Sequence, residues 1–330
     1  MTLSIGELRL PGRVLLAPMA GITDPPFRAL CRDFGAALTY GEMLSSDQEL
    51  WTTSKSRRRQ VQGDELGPRV VQLAGAEPQA VAEAARASAD QGAALIDINM
   101  GCPAKKVCNR LCGSALLADE SLVARILEAA VHAVKVPVTV KIRTGSDPQR
   151  RNGVEIARLA ERCGVSAIAV HGRTRADLFR GDAEYETIRA IKAAVQIPVI
   201  ANGDIRTAQQ AQNVLAFTGA DAVMIGRGAQ GSPWIFRDVN AYLSEGKFLA
   251  PLLRQRITEI ILQHLESLYA FYGEQTGIRM ARKHLGWYCQ LHSDGTELRR
   301  ELMAAADSAS QFAAAARGFG RWVAAQQAAA

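Results

Sequence analysis

Short apolar, β-branched runs recur along the first two thirds of the chain, at Val14–Ala17, Leu38–Glu42, Arg69–Leu73, Leu95–Asn99, Val138–Arg143, Ala167–His171, Val199–Asn202 and Ala222–Ile225. They return about every 25–40 residues, the period of strand–loop–helix–loop units. Their apolar positions are consecutive rather than alternating, which suits parallel strands covered on both faces. The segments between them carry helical spacing. Phe27, Leu30, Cys31 and Phe34 fall on one face, with Asp24 as cap, Pro25 in the first turn and Gly35 at the end. Ile156, Leu159, Ala160 and Cys163 repeat the pattern before Gly164, Pro78 opens a further helix and Thr207 caps another. GAALIDIN, GVSAIAVHG and GADAVMIGR share one plan, a glycine closing a helix before a buried strand. Eight such units predict an α/β fold, a (β/α)8 TIM barrel. A doubly wound open sheet is the rival, and the polar or glycine-rich residues at the end of every strand favour the barrel.

The pattern changes after Tyr242. Leu253, Ile257, Ile260, Ile261, Leu265 and Leu268 mark a long amphipathic helix ending at Gly273, and three more helical stretches follow. The expected division is a barrel domain over 1–245 and a small C-terminal helical domain over 246–330, joined through Gly246–Pro251. The alanine-rich end, 313–330, is expected as a fraying surface helix or as disordered chain.

Composition narrows the class. No apolar run approaches the ~18 residues that span a bilayer. The N-terminus lacks a basic stretch followed by an apolar core, so a cytoplasmic protein without membrane contact is expected. The six cysteines show no pair spacing and read as reduced thiols. Cys102, Cys108 and Cys112 match no zinc or iron–sulfur spacing, so no metal is expected. A net charge of +6 permits a polyanionic partner without requiring one. Nothing in the pattern speaks to oligomeric state, and a monomer would satisfy it.

In a barrel the chemistry belongs at the C-terminal ends of the strands. Those ends deliver Pro18-Met19-Ala20, Gln72, Asn99 with Gly101-Cys102-Pro103, Lys141, His171, Asn202-Gly203-Asp204 and Gly226-Arg227. Gly203, Gly226 and Gly228 let backbone N–H groups approach oxygen atoms, and Arg227 adds charge, which together read as a phosphate pocket. Lys141 interrupts an apolar strand, where a buried ammonium needs an anion or oxygen; a lysine that buries only its stem is the alternative. His171 follows the same logic, or is satisfied by a backbone carbonyl. Cys102 lies between glycine and proline on a sharp loop, whereas Cys31 and Cys163 have the helical spacing of core residues.

These residues sit in segments that resemble the tRNA-dihydrouridine synthases. APMAGITDPPFR, VQLAG, DINMGCPAKKV followed by GSALL, VKIRTG, VHGRTR, ANGDI and MIGRGAQGSPWIF are similar to that family's segments, in its order, from about residue 10 to 240. INMGCPAKKV and the later RKHLGWY look most like the bacterial B subfamily. The resemblance implies FMN at the barrel mouth and NADPH as reductant. It implies that Pro18, Met19 and Ala20 line the flavin and that Gln72 and Lys141 hydrogen-bond to its ring. His171, Asn202, Gly203, Asp204, Gly226 and Arg227 would surround the ribityl phosphate, with Asn99 in the substrate-contacting stretch. Cys102 would be the proton donor in reduction of the C5–C6 bond of a D-loop uridine, with hydride from the flavin N5.

A thiol on a mobile loop suits protonation of C5 on the face opposite the flavin, and a cationic Lys141 suits the negative charge of a reduced ring. Lys105 and Lys106 are expected to contact RNA phosphates, which would keep them from drawing the proton off Cys102. Arg279, Arg282 and Lys283 make a basic stripe at helical spacing beside Trp287 and Tyr288, and Lys55 with Arg57, Arg58 and Arg59 makes a second basic run; each suits tRNA or is a solvated charged face. Two other functions fit parts of the pattern. A flavin-dependent reductase of a small molecule, of dihydroorotate dehydrogenase type, would use the same barrel and pocket but needs neither helical tail nor basic clusters. An RNA-binding protein without catalysis would not need Cys102, Lys141 and the phosphate loops.

Overall fold

The computed structural model describes residues 2–60, 65–104, 108, 112–292 and 294–327. They form two compact units, one of Met1–Gly228 with Ile235–Lys247 and one of Ala229–Trp234 with Phe248–Ala330.

The first unit opens with an antiparallel hairpin, β1 (Leu3–Ile5) and β2 (Leu8–Leu10). Then come β3 (Val14–Leu16), α1 (Pro25–Asp33), β4 (Leu38–Thr39), β5 (Leu44–Ser45), the short α2 (Ser54–Arg57), β6 (Val70–Ala74), α3 (Pro78–Asp90) and β7 (Leu95–Met100). They are followed by α4 (Glu120–Ala133), β8 (Val138–Arg143), α5 (Gly153–Arg162), β9 (Ala167–His171), α6 (Glu186–Ala194), β10 (Val199–Asn202), α7 (Ala208–Thr218), β11 (Ala222–Ile225) and α8 (Ile235–Glu245). Nine parallel strands run in the order β4-β3-β11-β10-β9-β8-β7-β6-β5. The two end members are halves of one strand position, because Tyr40, next after β4, bridges Val70 of β6 and closes the ring. The architecture is the expected eight-fold barrel of parallel strands.

Local signals account for the helices. Asp24 caps α1 by accepting from Phe27 N at 3.0 Å, Thr207 caps α7, and Gly35 (φ +92°) ends α1 in the left-handed region. Two features differ from the sequence expectation. The hairpin was not anticipated; its Leu3, Ile5 and Leu10 join Leu15, Leu38, Leu95, Ile200 and Ala222 in one core cluster and form the floor of the barrel. The second strand, expected to run unbroken over Leu38–Glu42, is split. Buried Glu42 leaves the ladder to accept from Gly21 N and from Arg59, whose guanidinium lies 2.7 Å away.

Register sets the interior. Gln72 pairs with Asp97, and Asp97 with Thr139. Asn99 pairs with Lys141, Arg143 with His171, and His171 with Asn202. With a side-chain period of two, each group of partners points the same way from the barrel wall.

The second unit is helical: α9 (Arg254–Tyr272), α10 (Glu274–Tyr288), α11 (Gly295–Ala304) and α12 (Ser308–Gln327). Gly273 (φ +73°) separates α9 from α10. A β-carbon on Gly277 of α10 would lie 3.0 Å from Tyr269 Cα, so the two helices cross at backbone contact. The alanine-rich segment neither frays nor lies loose over its described length. It belongs to α12, and Ala314, Ala315, Phe319 and Trp322 are buried, because small residues let that helix sit close. No helix among the described residues is long and apolar enough to cross a membrane.

Candidate active site

β7 and the turn after it place the candidate thiol, Cys102. Asn99 Oδ1 accepts from Cys102 N at 3.0 Å and from Gly101 N at 3.3 Å. Arg143 Nε donates to Gly101 O at 2.9 Å, and Ser114 donates to Cys102 O through its N–H (3.0 Å) and its hydroxyl (2.9 Å). The loop backbone is therefore held on both sides while the Cys102 side chain stays half-buried. Burial pushes the thiol pKa up; an Ala104 backbone hydrogen bond and the Arg143 and Lys141 charges pull the other way and lose. The thiol keeps its proton at neutral pH. Cys108 lies on the same loop, its sulfur 3.5 Å from Cys102 O.

Beneath the thiol runs a buried polar chain. Asp97, fully buried, accepts from Thr139 Oγ1 at 2.6 Å and from Gln72 Nε2 at 2.7 Å. Gln72 Oε1 in turn accepts from Asn99 Nδ2 at 2.8 Å. Burial raises the Asp97 pKa to about 6, with the two hydrogen bonds and Lys141 holding it down.

Lys141, 9% exposed, donates to Asn202 Oδ1 at 3.0 Å, and Asn202 Nδ2 donates to Met224 O. That is one of the three hydrogens its ammonium offers. Burial, then Arg143, lowers its pKa to about 8, so it remains cationic at neutral pH. His171 accepts at Nε2 from Arg173 at 3.2 Å, which leaves Nδ1 as the protonated nitrogen. Burial, then the charges of Lys141, Arg143 and Arg173, hold its pKa well below the usual value, so it is a neutral donor.

Asp204 (φ +46°) is the counter-ion of the far rim. Its carboxylate meets Arg173 at 2.6 Å and Arg227 at 2.9 Å and accepts from Ala183 N at 2.9 Å. Partial burial pushes its pKa up, yet the Arg173 hydrogen bond and the two guanidinium charges bring it below the ordinary range. The Asp204 carboxylate thus binds the arginines that flank the pocket. Gly203 (φ +135°) cannot be replaced cheaply, since a β-carbon would lie 2.6 Å from Ala183 Cβ. Gly228 is also required for packing, since its β-carbon would meet Ile205 O at 2.3 Å. Gly226 lies beside Ala17 and Met19, each 3.6 Å from a β-carbon built there, which brings the ends of β11 and β3 together. Pro18 and Met19 are half-buried and Ala20 exposed on that turn, tied by Met19 O to Ile22 N and Thr23 N, both at 3.0 Å.

Arg143 and Arg173, both almost wholly buried, were not singled out by sequence. Arg143 also donates to Thr174 O and Leu178 O, and Arg173 to Arg180 O and Gly181 O, so the pair fixes the loop after β9. Half-exposed Phe179 rides on that loop, 5.4 Å from the guanidinium carbons of both Arg143 and Arg227. The barrel rim brings together Pro18, Met19, Ala20, Gln72, Asn99, Cys102, Lys141, His171, Asn202, Gly203, Asp204, Gly226 and Arg227. Lys105 and Lys106 lie outside the described residues. In the helical unit Arg279 and Lys283 are exposed on α10, while half-buried Arg282 donates to Ala305 O at 3.0 Å. In the other basic run, Arg59 is taken up by Glu42. Among the described residues no group of three or more His, Cys, Asp and Glu could hold a metal ion.

The donor set suits a flavin mononucleotide. Lys141, neutral His171 and Arg227 offer N–H groups at one mouth, two guanidiniums share a single carboxylate there, and Gly203 stands where a β-carbon would not fit.

The family profile described as Dihydrouridine synthase (Dus) matches residues 15–326. The chain is 55% identical over 309 residues to the tRNA-dihydrouridine synthase B of Pseudomonas aeruginosa, covering 94% of this chain and 93% of that one. It is 54% identical over 310 residues to the proteins of that name in Proteus vulgaris and Pectobacterium carotovorum, covering 94% of this chain and 96% and 97% of theirs.

Proposed function

The chain belongs to the dihydrouridine synthase family, and from that premise we propose that it uses FMN and NADPH to reduce the C5–C6 double bond of a D-loop uridine in tRNA, with Cys102 as proton donor. The enzyme is a flavin-dependent oxidoreductase acting on tRNA uridine. The observation that carries the finer reading is Cys102, on a loop whose backbone is held by Asn99 and Ser114, at the same strand ends as Lys141, His171 and Arg227.

When bound, the flavin supplies the hydride for C6 of the uracil. Pro18, Met19 and Ala20 would line its ring, and Gln72 and Lys141 would hydrogen-bond to it. Lys141 would place a positive charge near the reduced ring's negative one, at a buried position where charge counts for more than in water. His171 and Arg227, with Asn202, Gly203 and Gly226, would receive the ribityl phosphate, and Asp204 would keep Arg173 and Arg227 in place. Cys102 gives its proton to C5 and is left as a thiolate, which takes a proton back from water. Asn99 borders the pocket that the uracil enters after swinging out of the RNA. Arg279, Arg282 and Lys283, and Lys105 and Lys106, close to Cys102 in sequence, would meet RNA phosphates.

The deciding experiment is NADPH-dependent dihydrouridine formation on unmodified tRNA, comparing wild type with Cys102→Ala. Both proteins should be yellow with bound flavin, and only the wild type should form product. Full activity in the variant would remove Cys102 from its role. A flavin-loaded wild type that left tRNA untouched while reducing a small substrate would favour a small-molecule reductase.

A further inference from the structure

Asp97 does not reach the pocket, yet it determines how two residues of the pocket are turned. An ionised carboxylate only accepts hydrogen bonds. Gln72 must therefore present Nε2 to it, at 2.7 Å, and turn Oε1 the other way. That oxygen meets Asn99 at 2.8 Å, so Asn99 must present Nδ2. Asn99 Oδ1 is then directed at the Cys102 and Gly101 N–H groups, 3.0 and 3.3 Å away. Each link is dictated by the one before it, and β6, β7 and β8 supply the register that lines them up, Gln72 opposite Asp97 and Asp97 opposite Thr139.

We infer that Asp97 is the positioning residue of the thiol loop: its buried carboxylate orients the Gln72 and Asn99 amides in series, so that Asn99 clamps the Cys102 backbone and thereby positions the thiol. The inference rests on Cys102 being the proton donor. Arg143 and Ser114 hold the carbonyls of the same loop, so Asp97 governs its N–H side. A residue kept only to support the core would not need a charge there, since a buried carboxylate is costly and an apolar residue of similar size is often no less stabilising.

The test uses flavin-loaded enzyme at pH 8 and reads three quantities: kcat, KM for tRNA, and the rate at which iodoacetamide alkylates Cys102, followed by peptide mass spectrometry. Asp97→Ala should lower kcat about 10- to 100-fold while KM for tRNA stays within about twofold, because positioning fails and binding does not. Cys102 should be alkylated about fivefold faster as its loop opens more often. A pair of isosteric changes checks the polarity of the chain. Asn99→Asp sets a second acceptor against Gln72 Oε1 and should speed alkylation. Adding Asp97→Asn lets Gln72 turn over, accept from residue 97 and donate to residue 99, and should bring alkylation back to within about twofold of wild type. The proposal is overturned if Asp97→Ala keeps wild-type kcat and alkylation, or if the double variant alkylates no more slowly than Asn99→Asp alone. Alkylation decides the role of Asp97 even if wild type forms no dihydrouridine, an outcome that would sink the proposed function instead.

Discussion

Cys102 has Lys141 and Arg143 as cationic neighbours and nevertheless keeps its proton, because desolvation outweighs both. Its alkylation rate should keep climbing as the pH passes 9, the ordinary thiol value, and a plateau below pH 8 would show a thiolate at rest. Asp97 makes the opposite compromise. Its pKa rises from 3.8 in the unfolded chain to about 6 in the fold, so the folded state holds the extra proton between these values. The stability this gives is fully present below pH 4 and is lost as the pH rises through 6, a cost of about 3 kcal/mol at pH 7. Urea unfolding of flavin-free Asp97→Asn should lack that decline between pH 4.5 and 7; an unchanged slope would place the titration elsewhere. Cys102, Lys141 and His171 stand out as candidates in the sequence because each breaks a local pattern at a strand end. Asp97, Arg143 and Arg173 lie in the same segments, but their meaning depends on partners 25 to 42 residues away for Asp97 and on loop carbonyls for the arginines, which no local pattern displays.

Among the elements, those with the strongest local signals were the ones sequence found. Seven barrel strands carry continuous apolar runs, and the helices carry caps and a 3.6-residue period. The three-residue strands β1 and β2 are too short to show any period, and the split between β4 and β5 follows from a tertiary demand, the pairing of Glu42 with Arg59. Close helix crossings are equally silent in sequence. Gly277→Ala adds helix propensity worth up to ~1 kcal/mol but drives a methyl against the Tyr269 backbone, which cannot swing aside. The clash should prevail, with a net loss of about 1–2 kcal/mol in thermal or urea unfolding; a gain in stability would mean that α9 and α10 separate freely. Exposed Arg279 and Lys283 allow a cleaner test than Arg282, which also bonds Ala305 O. Changing both to alanine should weaken tRNA binding and reduce the slope of log K against log salt by about 1–2. An unchanged slope would mark the stripe as solvated surface.

For the molecule as a whole, the barrel frame was readable from repetition, while the site depended on the ring closing and on which residues then face one another. The barrel has a sealed base. Leu3, Ile5 and Leu10 of the first hairpin are packed into the lower core, and the layers above them are filled by side chains. On the proposed function the flavin would sit at the rim above this closed base, and the nicotinamide donor and the uridine would each reach it from the open end of the barrel. On that reading each would have to leave before the other enters, and the two half-reactions would queue. Initial rates measured against both substrates should give parallel double-reciprocal lines, and excess NADPH should compete with tRNA. Intersecting lines would mean that both reactants stand at the flavin together, and the floor laid by the first ten residues would then have no bearing on the order of events.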